Sequence, residues 1–242
     1  MVLRLALALA ALLALGVGVL TAAGVRVRRE VAVAAVRAAV QLLVVGLVLG
    51  AALRLPALTA AVLAVMLATA AGTAARRLRT LPGAGRAVPV ALLAGAVPTL
   101  GVVFGSGAVP PSARYLVALG GIVLGGTMTA STLAGRQLLA GMRARRDEIE
   151  GWLALGATPR QAVRDVARTA VAEALVPAVD QTRTVGLVTL PGAFVGALFG
   201  GASPLEAARF QLVVLVALLA AEATAAVVLT ALLGAPAQLP SS

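Results

Sequence analysis

The sequence predicts an all-α fold: a polytopic bundle of about seven membrane-spanning helices with one helical segment outside the membrane. Three observations predict it. Hydrophobic residues fill 61% of the 242 positions and charged residues only 12%, about half the charged share of a soluble domain. The apolar positions gather in seven runs, long enough to cross a ~30 Å hydrocarbon core at ~1.5 Å per helical residue. The Arg residues concentrate in alternate connections between the runs, the pattern by which positive charge sets orientation. The whole chain, 1–242, reads as one transmembrane domain.

The first run, 2–24, is interrupted only by Arg4. It is read as a retained helix, because the apolar core of a cleaved leader is usually ~7–15 residues. The second, 31–53, carries Arg37 and Gln41, four apart and so on one helical face. The third, 55–75, has Pro56 at its start, and the fourth, 88–104, is read as broken by Pro98. The fifth covers 115–139. The sixth, 170–199, contains Pro177, Asp180, Arg183 and Pro191; the seventh, 204–233, contains Glu222. Glycines recur every fourth residue at Gly46/Gly50, Gly101/Gly105, Gly121/Gly125 and Gly192/Gly196/Gly200. That spacing lets helix backbones approach closely, within the chain or between subunits.

Fourteen Arg residues lie on one side of this arrangement: Arg26, Arg28, Arg29, Arg76, Arg77, Arg79, Arg86, Arg136, Arg143, Arg145, Arg146, Arg160, Arg164 and Arg168. Arg4, Arg54 and Arg114 lie on the other. The richer side is cytoplasmic. The amino terminus is therefore expected outside and the carboxyl terminus in the cytoplasm.

Composition also narrows the chemistry. The chain has no Cys and no His, and all 20 basic residues are Arg. Thiol nucleophiles, the commonest general base and the P-loop lysine are all missing, so no enzyme activity is expected. The net charge of +11 would suit nucleic acid, but only six residues are aromatic. The Arg residues between apolar runs fit a membrane instead, with lipid as the surrounding partner and no nucleic acid.

The long polar stretch, 143–168, reads RARRDEIEGWLALGATPRQAVRDVAR. Ile149, Trp152 and Leu153 share a helical face, and Gly156 can end that helix in a left-handed conformation. Thr158 can cap a second helix with Pro159 at its first position, and Val163, Val166 and Ala167 give that helix an apolar face. Spacing alone leaves open whether this pair is a solvated connector, a docking element or a surface-lying amphipathic segment.

Within it, LALGATPRQA resembles the cytoplasmic coupling loop of ABC-transporter permeases. The following stretch, 174–211, with TVGLVTLPG at 184–192 and PLEAARFQ at 204–211, resembles the bacterial iron-export permease family of FetB type. Plant aluminium-tolerance membrane proteins are similar to the same family. The strong resemblance covers 153–215. It implies a permease subunit in the bacterial cytoplasmic membrane, exporting iron or another metal ion. It further implies a homodimer and a separate ABC ATPase that binds ATP and Mg, with no cofactor on this chain. The coupling residues it implies are Glu150, Trp152, Leu155, Gly156, Ala157, Thr158, Pro159 and Arg160. An ABC permease for a lipid or amino acid, or a secondary carrier, is the alternative. Two positions depart from the resembled family: Gly126 stands where it often has Asn, and Glu222 where it usually has a small or hydroxyl residue.

Ionisable groups inside a span cost at least ~2.5–3.5 kcal/mol and usually face the bundle interior or water. One reading is a substrate path lined by Gln41, Met128, Thr129, Asp180, Arg183, Thr184 and Glu222. The other is an internal ion-pair network, Asp180 with Arg183 and Glu222 with Arg37. Asp180, Glu222 and Met128 are candidates for a weak metal transit site, since tight metal binding would want His or Cys.

Overall fold

The computed structural model describes residues 2–52 and 55–235. The described residues form α-helices without strands, apart from a single isolated bridge between Val185 and Thr189. They fall into two compact units, Met1–Leu58 and Thr59–Ser242. In the first unit, α1 (Val2–Ala22) and α2 (Arg28–Ala52) pack together across a turn in which Gly24 takes a φ of +69°. The helix α3 (Pro56–Arg77) leads into the second unit, where α4 (Ala84–Gly105), α5 (Ala113–Ala144), α6 (Arg146–Ala154), α7 (Pro159–Ala162), α8 (Arg164–Thr184), α9 (Gly192–Phe199) and α10 (Pro204–Leu233) follow.

Among the described residues six helices are long and apolar enough to cross a membrane: α1, α2 (over Arg29–Leu47), α3, α4, α5 and α10. The sequence leads to about seven spans with six left open, and the difference falls at the sixth run. That run is divided into α8 and α9, and neither is among the six. The physical reason is composition and punctuation. Arg164, Asp165, Arg168, Glu173, Asp180 and Arg183 make α8 polar, and Gly186 (φ +81°) turns the chain before Pro191. Even so, α8 has 21 residues, about 31 Å of helix, and lies along both α5 and α10. Near its start Val166 meets Gly141 of α5; at its far end Val185 and Gly186 share a cavity wall with Gln211 and Leu215 of α10.

The helix α4 runs unbroken through Pro89 and Pro98, correcting the expected interruption. A proline removes one helical hydrogen bond, which neighbouring packed helices tolerate in an apolar bundle. Here α4 is held along α10 and α5. At 32 residues, about 48 Å, α5 is longer than a hydrocarbon core is thick. Its last turns therefore project and carry α6 and α7.

The core of the second unit centres on Leu78, Val88, Leu92, Leu138, Met142 and Leu229 and continues into Ile149, Val163 and Val166. The polar segment is thus anchored beneath the bundle rather than strung between spans. Close helix approach uses glycines outside most of the four-residue stripes. A Cβ on Gly120 would lie 2.7 Å from Leu63, and one on Gly135 would lie 2.6 Å from Leu78. Gly46, Gly50, Gly101, Gly105, Gly192 and Gly196 face open space.

Candidate functional site: an interhelical cavity and an exposed helical turn

Between α5, α8 and α10 lies a cavity of about 260 Å³. Each helix contributes one face at helical spacing: Ile122, Gly125, Gly126, Thr129, Ala130 and Leu133 from α5; Ala174, Pro177, Ala178 and Gln181 from α8; Leu218 and Glu222 from α10. Its polar side chains are Thr129, Gln181 and Glu222. The Thr129 hydroxyl donates to the Gly125 carbonyl at 3.0 Å, leaving its oxygen able to accept. Glu222 is half-buried and has no hydrogen bond or ion pair with described residues of its unit. Gly126 makes room for it: a Cβ there would collide with Glu222 Oε1 and would lie 2.6 Å from Leu218 Cδ2. The two positions that depart from the resembled family, 96 residues apart, therefore face one another.

The other expected path residues lie elsewhere. Met128 packs against the main core. Asp180, one residue from Gln181, is turned by ~100° off the cavity face. Its carboxylate is 3.9 Å from Arg183 Nη1, and both side chains are well exposed, at 62% and 75%. The Thr184 hydroxyl donates to the Asp180 carbonyl at 2.9 Å. Gln41 is exposed on α2, in the first unit. Among the described residues no three of His, Cys, Asp and Glu come together.

Gln181 was missed because charge drew the reading to Asp180. Its signal was available: 174, 177, 178 and 181 form an uncharged stripe of α8 containing the proline. Gln211 was also missed. It is buried on α10, and its Oε1 accepts from the Phe194 N–H at 3.1 Å, tying the first turn of α9 to α10.

At the other end of the second unit, α6 ends at Ala154 and the chain reverses through Gly156, whose φ is +91°. Thr158 caps α7 reciprocally. Its N–H donates to Gln161 Oε1 at 2.8 Å, and the Gln161 N–H donates to Thr158 Oγ1 at 3.4 Å. Pro159 takes the first helical position, where its missing N–H costs nothing. Ile149 and Val163 are buried, whereas Trp152 is 51% and Leu155 82% exposed. Trp152 therefore does not share the burial of Ile149, although the two were read as one face. Trp152, Leu155, Gly156, Ala157 and Gln161 border an open groove of about 560 Å³. Glu150 is paired with Arg146 at 2.8 Å. Arg160 Nη2 donates to the Ala231 carbonyl at 3.1 Å.

Residues 2–236 match a family described as "Uncharacterised protein family (UPF0014)". The chain belongs to this family. Among its relatives in UPF0014, the chain is 33% identical over 208 residues to "UPF0014 membrane protein YjkA" of Bacillus subtilis, covering 85% of this chain and 83% of that one. It is 36% identical over 157 residues to "UPF0014 membrane protein STAR2" of Oryza sativa, covering 65% and 55%. It is 35% identical over 125 residues to "Probable iron export permease protein FetB" of Escherichia coli, covering 52% and 48%. Apart from the Bacillus protein, the chain spans about half the length of the curated relatives it matches. No solved structure matches it. Within UPF0014 the chain is a multi-pass membrane protein.

Proposed function

We propose that this chain is the permease subunit of an ABC transporter that exports iron or another metal ion, powered by a separate ATPase chain. The observation that carries the reading is the turn from Trp152 to Arg160. Its buried anchors Ile149 and Val163 fix it rigidly beneath the bundle, while Trp152 and Leu155 stand exposed beside an open groove. A rigid platform with unburied aromatic and aliphatic anchors suits a protein partner. ATP and Mg belong to that partner, because the chain contains no Lys for a phosphate-binding loop. The name of the Escherichia coli relative and the carboxylate in the interhelical cavity support a metal cargo.

Orientation follows from Arg placement: the α6–α7 end faces the cytoplasm of a bacterial cell, the amino terminus lies outside and the carboxyl terminus inside. This orientation counts α8, which packs along α5 and α10, as a seventh crossing beside the six apolar helices. The protein works as a homodimer. Asp180 and Arg183 point away from the α5–α10 side of α8, and lipid would leave such charges unsolvated. A second copy or a water-filled path between two copies supplies the cover.

The test is co-reconstitution in vesicles with the ABC ATPase of the same cell. ATP-dependent movement of Fe(II), or of another divalent metal, across the vesicle wall is the expected result. An ATPase that neither binds the chain nor drives any metal across would overturn the reading.

A further inference from the structure

The Glu222 carboxylate, the Thr129 hydroxyl and the Gln181 amide meet at one cavity, and among the described residues no other polar side chain lines it. Each feature there serves the carboxylate. Gly126 leaves the space its Oε1 occupies. No Arg shares the cavity to neutralise it. A carboxylate in a spanning helix is costly unless it faces water or a partner. Among the described residues of the unit, no Arg pairs with it.

We propose that this cavity is a binding site for a hard divalent metal cation that keeps part of its water shell, held by Glu222 with Thr129 and Gln181 as neutral oxygen donors. Size and donor chemistry decide the class. About 260 Å³ has room for roughly eight waters at ~30 Å³ each, far more than a bare ion needs. The donors are all oxygen, the set preferred by Mg, Ca and Mn rather than by soft metals. Met128, the softer donor, packs into the core and does not line the cavity. One negative charge with retained waters binds weakly, and weak binding lets an ion leave as well as enter. As a transit site for exported metal the inference rests on the permease reading; as a binding site it is measured without it.

The experiment uses the full-length chain in nanodiscs of phosphatidylcholine, titrated with Mn2+ and followed by electron paramagnetic resonance. The expected result is weak, saturable Mn2+ binding displaced by Mg2+. Glu222→Gln should lower the affinity by roughly tenfold or more, on the scale known for ligand-shell changes. Gly126→Ala should weaken binding with the charge retained, by displacing the carboxylate. Glu173→Gln, which removes a carboxylate of α8 outside the cavity, should bind as the unchanged chain does. Circular dichroism and gel filtration identify any variant that has lost its fold. Absence of Mn2+ binding, equal binding in folded Glu222→Gln, or a site that takes Zn2+ and ignores Mg2+ would each overturn the proposal. None of these results bears on ATPase association, which tests the permease reading separately.

Discussion

Arg160 Nη2 donates to the carbonyl oxygen of Ala231 across 71 residues of chain, at 3.1 Å. The helix α10 ends at Leu233, so Ala231 is among the last carbonyls that no helical N–H reaches. A guanidinium there satisfies the carbonyl and faces the negative end of the helix dipole. The bond ties α7 to the helix that carries Glu222, nine residues or about 14 Å further up. If a partner moves the turn, this bond and α10 offer a route to the cavity. Arg160, expected from the sequence as a docking charge, is exposed and also bonds within the chain. Arg160→Gln should cost only about 0.3–1 kcal/mol of stability. It should nevertheless make ATP turnover of the reconstituted complex insensitive to added metal. Turnover that still responds to metal would remove Arg160 from the coupling route.

Gly156 holds a φ of +91°, and a Cβ there would meet nothing within 4 Å. Space is not the constraint; the backbone is. A β-branched residue in this region costs roughly 1–2 kcal/mol, whereas Asn tolerates it better. Gly156→Val should insert normally in membranes and lose ATPase co-purification, and Gly156→Asn should keep most of it. Equal loss in both variants would show that surface chemistry, not turn geometry, governs docking.

Trp152 and Ile149 lie three residues apart yet answer to different partners. Ile149→Ala removes a buried side chain and should destabilise the protein by about 2–5 kcal/mol. Trp152→Ala and Leu155→Ala remove exposed ones and should leave thermal unfolding of the isolated chain unchanged. Both should lower ATPase binding, read by co-purification or by surface plasmon resonance. A fall in the melting temperature of Trp152→Ala alone would place its indole in the fold rather than at an interface.

Much of this was legible in the sequence, and the gaps share a cause. The bounds of α10, the left-handed Gly156 and the Thr158 cap were readable because each is set by neighbours in the chain. The continuity of α4 through Pro98 was not, since the compensating contacts come from α10 and α5. The split of the sixth run was missed because an apolar count over 170–199 ignores how the turn at Gly186 divides it. At the site, Glu222 and Gly126 each stood out, but nothing local says that they touch. Asp180 was preferred to Gln181 because its charge is visible in the sequence. Which face of α8 meets α5 is a tertiary fact.

Arg145 and Glu148 form a two-pronged bond, with Nε to Oε2 at 2.7 Å and Nη2 to Oε1 at 2.6 Å. The bond from Arg145 holds the Glu148 carboxyl below its ordinary range, against a smaller opposing effect of burial. A lowered folded-state pKa stabilises above the ordinary carboxylate value, near 4.5, and that stability is lost as pH falls through the folded value. The pair is exposed, so the effect is small and screened by salt. At pH 7 and low salt, Glu148→Gln should melt slightly below the unchanged chain. The gap should close as pH falls below the carboxylate range or in high salt. A gap that persists at low pH would mean that Glu148 acts through packing instead.

The outward face of α8 makes the dimer testable. Val176 is 46% exposed and lies on the same side of α8 as Arg183, seven residues on and close to two full turns. Ala174 is buried on the cavity side. The chain has no Cys of its own, so a single introduced thiol reports on one position. If two copies meet along this face, Val176→Cys should form a disulfide-linked dimer in native membranes under mild oxidant, because the bond needs Cα atoms within ~7 Å. Ala174→Cys should not. Charge supplies the second arm. Asp180→Arg sets two like charges three residues apart and should weaken the Val176→Cys cross-link. Adding Arg183→Asp restores opposite charges in reversed order and should recover it. A cross-link that forms at Ala174→Cys and not at Val176→Cys would show that the copies do not meet on this face, and the exposed Asp180–Arg183 pair would then face water alone.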